Sequence, residues 1–148
     1  MEINEEREKL IKKLKEFFQQ NAENFKLSLA LLFGSWAQGS PRRDSDVDIA
    51  VFFEEGKIDK EEKKALVRKI TALLEERIKR EVSILIIDPA LSKPMVYYNA
   101  LVSGIPLYVS DSSLLHHLRM DAIHEMEDFS SRGLKWQMEL AGRYLKGK

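Results

Sequence analysis

Two apolar segments restrict the fold of this chain more than any other feature. Residues Leu27–Phe33 and Val47–Phe53 consist mainly of Leu, Ile, Val, Phe and Ala. Runs of this length and composition predict β-strands, and the first is apolar enough to be buried on both faces. The connection between them contains Gly, Ser and Pro and is too long for a tight hairpin. Because loops of that kind are commonly functional, we expect a site in this connection.

Amphipathic helices and shorter strands account for the rest of the chain. Pro106 predicts a sheet-edge position for its strand, because proline cannot donate to a strand ladder. The element order α-β-β-α-β-α-β-α indicates one α+β (or α/β) domain over residues 1–148, with a helical extension from about residue 112. Apolar periodicity predicts helices over 3–20, 59–80 and 94–103, strands over Val82–Ile87 and Ile105–Val109, and a mostly helical segment over 112–146 with a break at Ser130–Gly133.

Composition and charge exclude several classes of protein. The chain has 24 basic and 24 acidic residues, whereas a dedicated nucleic-acid binder is usually strongly basic. It has no cysteine, which rules out disulfides, thiolate metal sites and cysteine nucleophiles. The segment Met1–Lys15 lacks the apolar core of a signal peptide, and no apolar run approaches the ~18 residues of a membrane span. We therefore expect a soluble cytoplasmic protein with neither a membrane nor a nucleic acid as its direct partner.

Two aspartates, Asp46 and Asp48, stand where the second apolar strand begins. Residues two apart in a strand point to the same face, so their carboxylates lie side by side, about 6–7 Å apart along the backbone. They are not ordinary core residues, because two buried unpaired anions cost too much. Two carboxylates at a strand end instead predict a seat for Mg²⁺, which takes oxygen ligands and usually keeps substrate phosphates in its shell.

The loop before these aspartates carries groups that bind phosphate. Gly34 lets backbone N–H groups approach a phosphate closely, and Ser35 adds a hydroxyl. Arg42 and Arg43 lie in the same loop and are suited to bind phosphate or pyrophosphate. Each feature is common by itself. Their combination between two apolar strands indicates a phosphate site beside a metal site.

The stretch GSWAQGSPRRDSDVDIAVFF resembles the minimal nucleotidyltransferase family of the DNA polymerase β-like nucleotidyltransferase superfamily, whose signature is Gly-Ser, ten residues, then Asp-x-Asp. The later segment IDPALSKPMVYYNALVSGIPLYVSD is similar to that family too. The resemblance implies the polymerase β-like fold, with a small mixed sheet of about four strands flanked by helices. It also implies that ATP with Mg²⁺ donates AMP and releases pyrophosphate. Gly34 and Ser35 would then bind the triphosphate, and Asp46 and Asp48 the metal.

The chain departs from this superfamily at one position. Members usually carry a third carboxylate on a neighbouring strand, where it ligates metal and activates the attacking hydroxyl. In the matching stretch Glu81-Val82-Ser83-Ile84-Leu85, Ser83 stands at that position. Glu81 shares the parity of Ser83 and either substitutes through its longer side chain or lies in solvent.

Two functions follow from these residues and the resemblance. The first is transfer of AMP from ATP·Mg²⁺ to a hydroxyl, with the protein acting as antitoxin to a HEPN-domain toxin, a tyrosine of which would be the acceptor. The second is a binding module that kept the fold, lost the chemistry at Ser83 and neutralises its partner by contact. Either is compatible with a homo- or hetero-oligomer.

Other residues leave alternatives open. His117, Asp121, His124 and Asp128 recur along one stripe of the C-terminal helix. That stripe is either a metal or acid–base site or a polar surface. Trp36, inside the phosphate loop, either stacks on a nucleobase or packs beneath the loop.

Overall fold

The computed structural model describes residues 3–39, 41, 45–56 and 58–146, with side chains described throughout except at Phe129 and residues 131–146. Within this part of the chain, five helices and four strands follow one another. They are α1 (Ile3–Asn21), β1 (Leu27–Phe33), α2 (Ser35–Gln38), β2 (Val47–Phe53), α3 (Lys60–Ile78), β3 (Val82–Ile86), α4 (Pro94–Leu101), β4 (Ile105–Val109) and α5 (Ser112–Lys146).

The four strands form one mixed sheet in the order β3-β2-β1-β4. β1 is antiparallel to β2 and to β4, whereas β2 and β3 are parallel and are joined through α3. The fold is therefore α+β with a small mixed sheet, as expected. β4 lies at the sheet edge, which confirms the prediction made from Pro106.

Helices cover both faces of this sheet. On one face, α1 and α3 pack on side chains that include Leu32, Ile49 and Val51. On the other face, α4 and the beginning of α5 pack on Leu31 and Phe52. The central strands are thus buried on both sides, which confirms the prediction that Leu27–Phe33 is buried on both faces.

Two local features differ from the sequence prediction. The short helix α2, immediately after Gly34, was not expected because four residues are too few for a periodic pattern. The predicted break at Ser130–Gly133 is wrong, since α5 runs without interruption from Ser112 to Lys146. A glycine inside a helix costs only about 1 kcal/mol relative to alanine, and the strong helix formers on both sides outweigh that cost.

The carboxylate of Asp88 links α4 to the end of β3 through hydrogen bonds. Oδ2 of Asp88 accepts hydrogen bonds from the Ser92 hydroxyl at 2.7 Å and from the Tyr97 hydroxyl at 2.8 Å. Burial acts to raise the pKa of Asp88, but the hydrogen bonds from Ser92 and Tyr97 outweigh it, so this pKa lies below its usual value of 3.8. The ionised form of Asp88 therefore stabilises the fold.

We predict that Asp88→Ala lowers the free energy of unfolding by about 1–2 kcal/mol at neutral pH, because hydrogen bonds to a charged group are lost. The wild-type advantage is present above pH 3.8 and disappears as the pH falls through the lowered pKa of Asp88. Urea unfolding of both proteins at neutral and acidic pH measures this gap, with the exposed Asp121→Ala as control. A gap that stays constant down to the acid limit would contradict the prediction.

A candidate active site at the ends of β1 and β2

The carboxylate of Asp48 lies directly against Gly34. β1 and β2 are in a register that pairs Phe33 with Asp48, so the turn after β1 lies next to this aspartate. A Cβ atom placed on Gly34 would overlap Oδ2 of Asp48 and lie 3.3 Å from its Cγ. Gly34 also has φ +75° and ψ −157°, a conformation that essentially only glycine adopts. Both constraints explain why the turn requires glycine.

Asp48 lies at the entrance to β2 on the face that α4 and α5 cover further along the strand, because it shares the parity of Ala50 and Phe52. Asp48 is half-buried, whereas Asp46, just before the strand, is exposed. Partial burial raises the pKa of Asp48, and the negative charge of the nearby Asp46 raises it further. The two carboxylates therefore repel each other, and a divalent cation between them would reverse that effect.

Ser83 of β3 and Glu81, just before β3, lie alongside the two aspartates. The parallel register places Ser83 beside Asp48. The Val47 amide donates to the Glu81 carbonyl at 2.9 Å, which continues the ladder and brings Glu81 beside Asp46. Asp46 and Glu81 line one open groove together with residues at the end of α3. Glu81 is exposed.

The described acidic and histidine side chains form no group of three that could hold a metal ion. Asp46 and Asp48 still fit Mg²⁺, because this ion is usually held by one or two carboxylates together with substrate phosphates. Arg42 and Arg43, the predicted phosphate ligands of the loop, lie outside the described residues.

The four members of the predicted helical stripe, His117, Asp121, His124 and Asp128, are all exposed on α5. Nδ1 of His117 lies 2.7 Å from the carbonyl oxygen of Ser113 in the preceding turn. This placement favours the interpretation as a polar surface stripe.

Trp36 packs beneath the loop. Its side chain is fully buried in the core on the α1 and α3 face, and its indole N–H donates to the Ser45 carbonyl at 3.1 Å. Of the two alternatives for Trp36, the structure therefore shows packing.

Two arginines, Arg7 and Arg80, contact this loop on the α1 and α3 side. The sequence pattern did not predict either of them. Arg7 of α1 donates hydrogen bonds to the carbonyls of Trp36 and Ala37, and the Arg80 guanidinium lies over the Trp36 ring. These contacts join residues 29 or more positions apart in the chain. No local pattern in the sequence signals them.

A comparison with protein families identifies the family of this chain. The family model described as Polymerase beta, Nucleotidyltransferase matches residues 12–113. The chain belongs to this family. The matched part of the chain includes Gly34, Ser35, both aspartates and β3. No curated protein sequence matches the chain.

Solved structures show the same fold. A mutant MntA–HpeT toxin–antitoxin has a TM-score of 0.64 at 18% identity, with 88% of this chain and 98% of that chain covered. A toxin–antitoxin with AMP-PNP has a TM-score of 0.62 at 21% identity and coverages of 90% and 98%. A tri-AMPylated Shewanella oneidensis HEPN toxin in complex with MNT antitoxin has a TM-score of 0.62 at 15% identity, covering 88% and 98%. Among the described residues, no helix is long and apolar enough to cross a membrane.

We predict that Asp48→Asn raises the thermal midpoint of the protein at neutral pH. Since the folded-state pKa of Asp48 is raised, its ionised form destabilises the fold above that pKa, and the effect vanishes as the pH falls below 3.8. The gain should therefore be present at neutral pH and absent in acid. Differential scanning calorimetry at both pH values measures it, with Glu76→Gln on the exposed face of α3 as control. A gain of equal size at both pH values would refute this charge-based explanation.

Proposed function

We propose that this protein transfers AMP from ATP·Mg²⁺ to a hydroxyl of a HEPN-domain toxin and thereby acts as its antitoxin. The observation that carries the proposal is the packing of Asp48 against Gly34, which puts a carboxylate pair next to a turn suited to phosphate. The family match and the fold shared with MNT antitoxins support it. The proposal treats residues 1–148 as one domain, with the helix from residue 112 as its extension, and places the protein in the cytoplasm, where ATP and Mg²⁺ are available.

The chain's own residues have distinct tasks in this reaction. Gly34 and Ser35 bind the β- and γ-phosphates, since glycine admits the phosphate close to the backbone and the serine hydroxyl donates to its oxygens. Arg42 and Arg43, in the same loop, neutralise phosphate charge. Asp46 and Asp48 would hold Mg²⁺, which stabilises negative charge on the phosphates when it is bound.

Transfer exchanges one bond to the α-phosphorus for another. The acceptor hydroxyl oxygen attacks in line, and a new P–O bond to the acceptor forms. The bond between the α-phosphorus and the bridging oxygen breaks, and pyrophosphate leaves with its electron pair. The hydroxyl proton passes to solvent or to a nearby carboxylate, and Glu81, just before β3 in the groove beside Asp46, is a carboxylate available to take it.

A second candidate is a binding module with the same fold and no chemistry. Its support is Ser83, which stands beside Asp48 in the register. A neutral hydroxyl is a poor Mg²⁺ ligand and a poor base, and loss of general-base catalysis alone costs ~10²–10⁴-fold. Such a protein would neutralise the toxin by contact.

Incubation with α-³²P-labelled ATP, Mg²⁺ and a purified HEPN-domain toxin separates the two candidates. We expect label on the toxin, and a loss of about 10²–10³-fold in Asp46→Asn and in Asp48→Asn, the scale of removing one group that stabilises transition-state charge. Asp121→Asn is the matched control, and peptide mapping tests tyrosine as acceptor. No label on the toxin, with full neutralisation by the double aspartate variant, would overturn the proposal in favour of the binding module.

Restoring the missing carboxylate is an independent test. We predict that Ser83→Asp increases the rate of AMP transfer by about 10²-fold, the lower part of the range for general-base catalysis. Glu81→Gln should lower the wild-type rate if Glu81 takes the proton. Single-turnover label transfer measures both effects, with Ser83→Asn as a control of similar size. A Ser83→Asp protein no faster than the Ser83→Asn control would show that the third carboxylate does not limit this reaction.

A further inference from the structure

Trp36 links the two ends of the connection between β1 and β2, which carries the candidate site. The indole N–H of Trp36 donates to the carbonyl of Ser45 at 3.1 Å, which links the beginning of the connection to its end. The ring itself is fully buried among core residues on the α1 and α3 face. The opposite face carries Asp48. Trp36 is thus the support of the connection on the side away from the carboxylates.

Arg7 holds the short helix α2 from α1. Its Nε donates to the Trp36 carbonyl at 2.6 Å and its Nη2 to the Ala37 carbonyl at 2.9 Å. A helix of four residues ends before these carbonyls can accept bonds within it. The fork of a guanidinium suits two neighbouring acceptors, which a lysine ammonium cannot match in one geometry. Arg7 therefore replaces the missing helical turn.

Arg80 holds Trp36 from the junction of α3 and β3. Its guanidinium carbon lies 4.6 Å from the Trp36 ring centre, within the range of a cation–π contact. Nη2 of Arg80 is also 3.3 Å from Oε2 of Glu6, the neighbour of Arg7 on α1. The same arginine lines the groove that contains Asp46 and Glu81. Arg80 thus connects Trp36, which packs beneath the loop, with the groove that contains Asp46.

We propose that Arg7 and Arg80 are positioning residues for nucleotide binding. Acting through Trp36, they hold the connection so that Gly34 and Ser35 stay against the two aspartates. The inference rests on the proposed function, because it assumes that ATP·Mg²⁺ binds at this turn. In this role Arg7 acts through the carbonyls of α2, and Arg80 acts through the Trp36 ring. The arginines determine how well the turn is held in its binding conformation before the nucleotide arrives. A misplacement of about 1 Å in such a site can lower the reaction rate on the order of 10²-fold.

We expect substitution by lysine to have different effects at positions 7 and 80. A lysine at position 7 would keep the charge but lose the paired hydrogen bonds, so Arg7→Lys should weaken ATP·Mg²⁺ binding nearly as much as Arg7→Gln, roughly tenfold or more. A lysine at position 80 would keep both the ion pair with Glu6 and a cation near the ring. Arg80→Lys should therefore retain most of the affinity that Arg80→Leu loses.

Trp36 itself provides the readout. The chain has two tryptophans, so a Trp136→Phe background leaves Trp36 as the single tryptophan reporter. In this background we would measure Trp36 emission, the Kd for ATP·Mg²⁺ by calorimetry, KM and kcat of AMP transfer, and the urea midpoint. Arg68→Gln, an exposed arginine of α3, is the matched control. We expect Arg7→Gln and Arg80→Leu to shift Trp36 emission and to raise Kd and KM more than they lower kcat.

Each outcome decides between positioning and simple stabilisation. Weaker ATP binding by variants that remain fully folded, with recovery in Arg80→Lys and none in Arg7→Lys, supports positioning. Unchanged ATP affinity in all four arginine variants, or losses that only follow the fall in urea midpoint, overturns it while leaving the proposed function intact. A wild-type protein that neither binds ATP·Mg²⁺ nor transfers label overturns the proposed function and this inference together.

Discussion

The contact between the Asp48 carboxylate and the Cα of Gly34 is the constraint on which the candidate site depends. It exists because Phe33 and Asp48 are partners in the antiparallel register of β1 and β2. A slip of one residue would turn every side chain of β2 to the other face and separate the aspartates from the turn. That slip would also turn Asp48 toward the core on the α1 and α3 face, where an unpaired carboxylate is costly. The packing of the core thus fixes the strand register, and the register places Asp48 next to Gly34.

The two faces of the sheet have different roles at the candidate site. Asp48 lies on one face, where burial and the negative charge of Asp46 raise its pKa and cost stability. The loop is supported from the other face, where Trp36 is buried and Arg7 and Arg80 contact it. Strain at a site persists when its surroundings over-determine the conformation, and here the surroundings are α1 and the junction of α3 with β3.

Ser83 separates this chain from the pattern of its superfamily. The register places the serine beside Asp48, where a third carboxylate is expected, and Glu81 beside the more exposed Asp46. A carboxylate at position 83 would add a third negative charge next to a half-buried aspartate and raise its pKa still further. The serine therefore avoids this additional repulsion in the folded protein.

The local sequence determined the strands, the main helices and the family signature, because periodicity, turn residues and the spacing of Gly34-Ser35 and Asp46-x-Asp48 are short-range features. The same reasoning missed α2 and wrongly broke α5, where tertiary packing and neighbouring helix formers override single residues. Only the tertiary structure decided that Trp36 packs beneath the loop, that Ser83 stands beside Asp48 and that Arg7 supports α2. These are contacts between distant segments, set by strand register and helix docking, and no pattern within a short stretch of sequence encodes them.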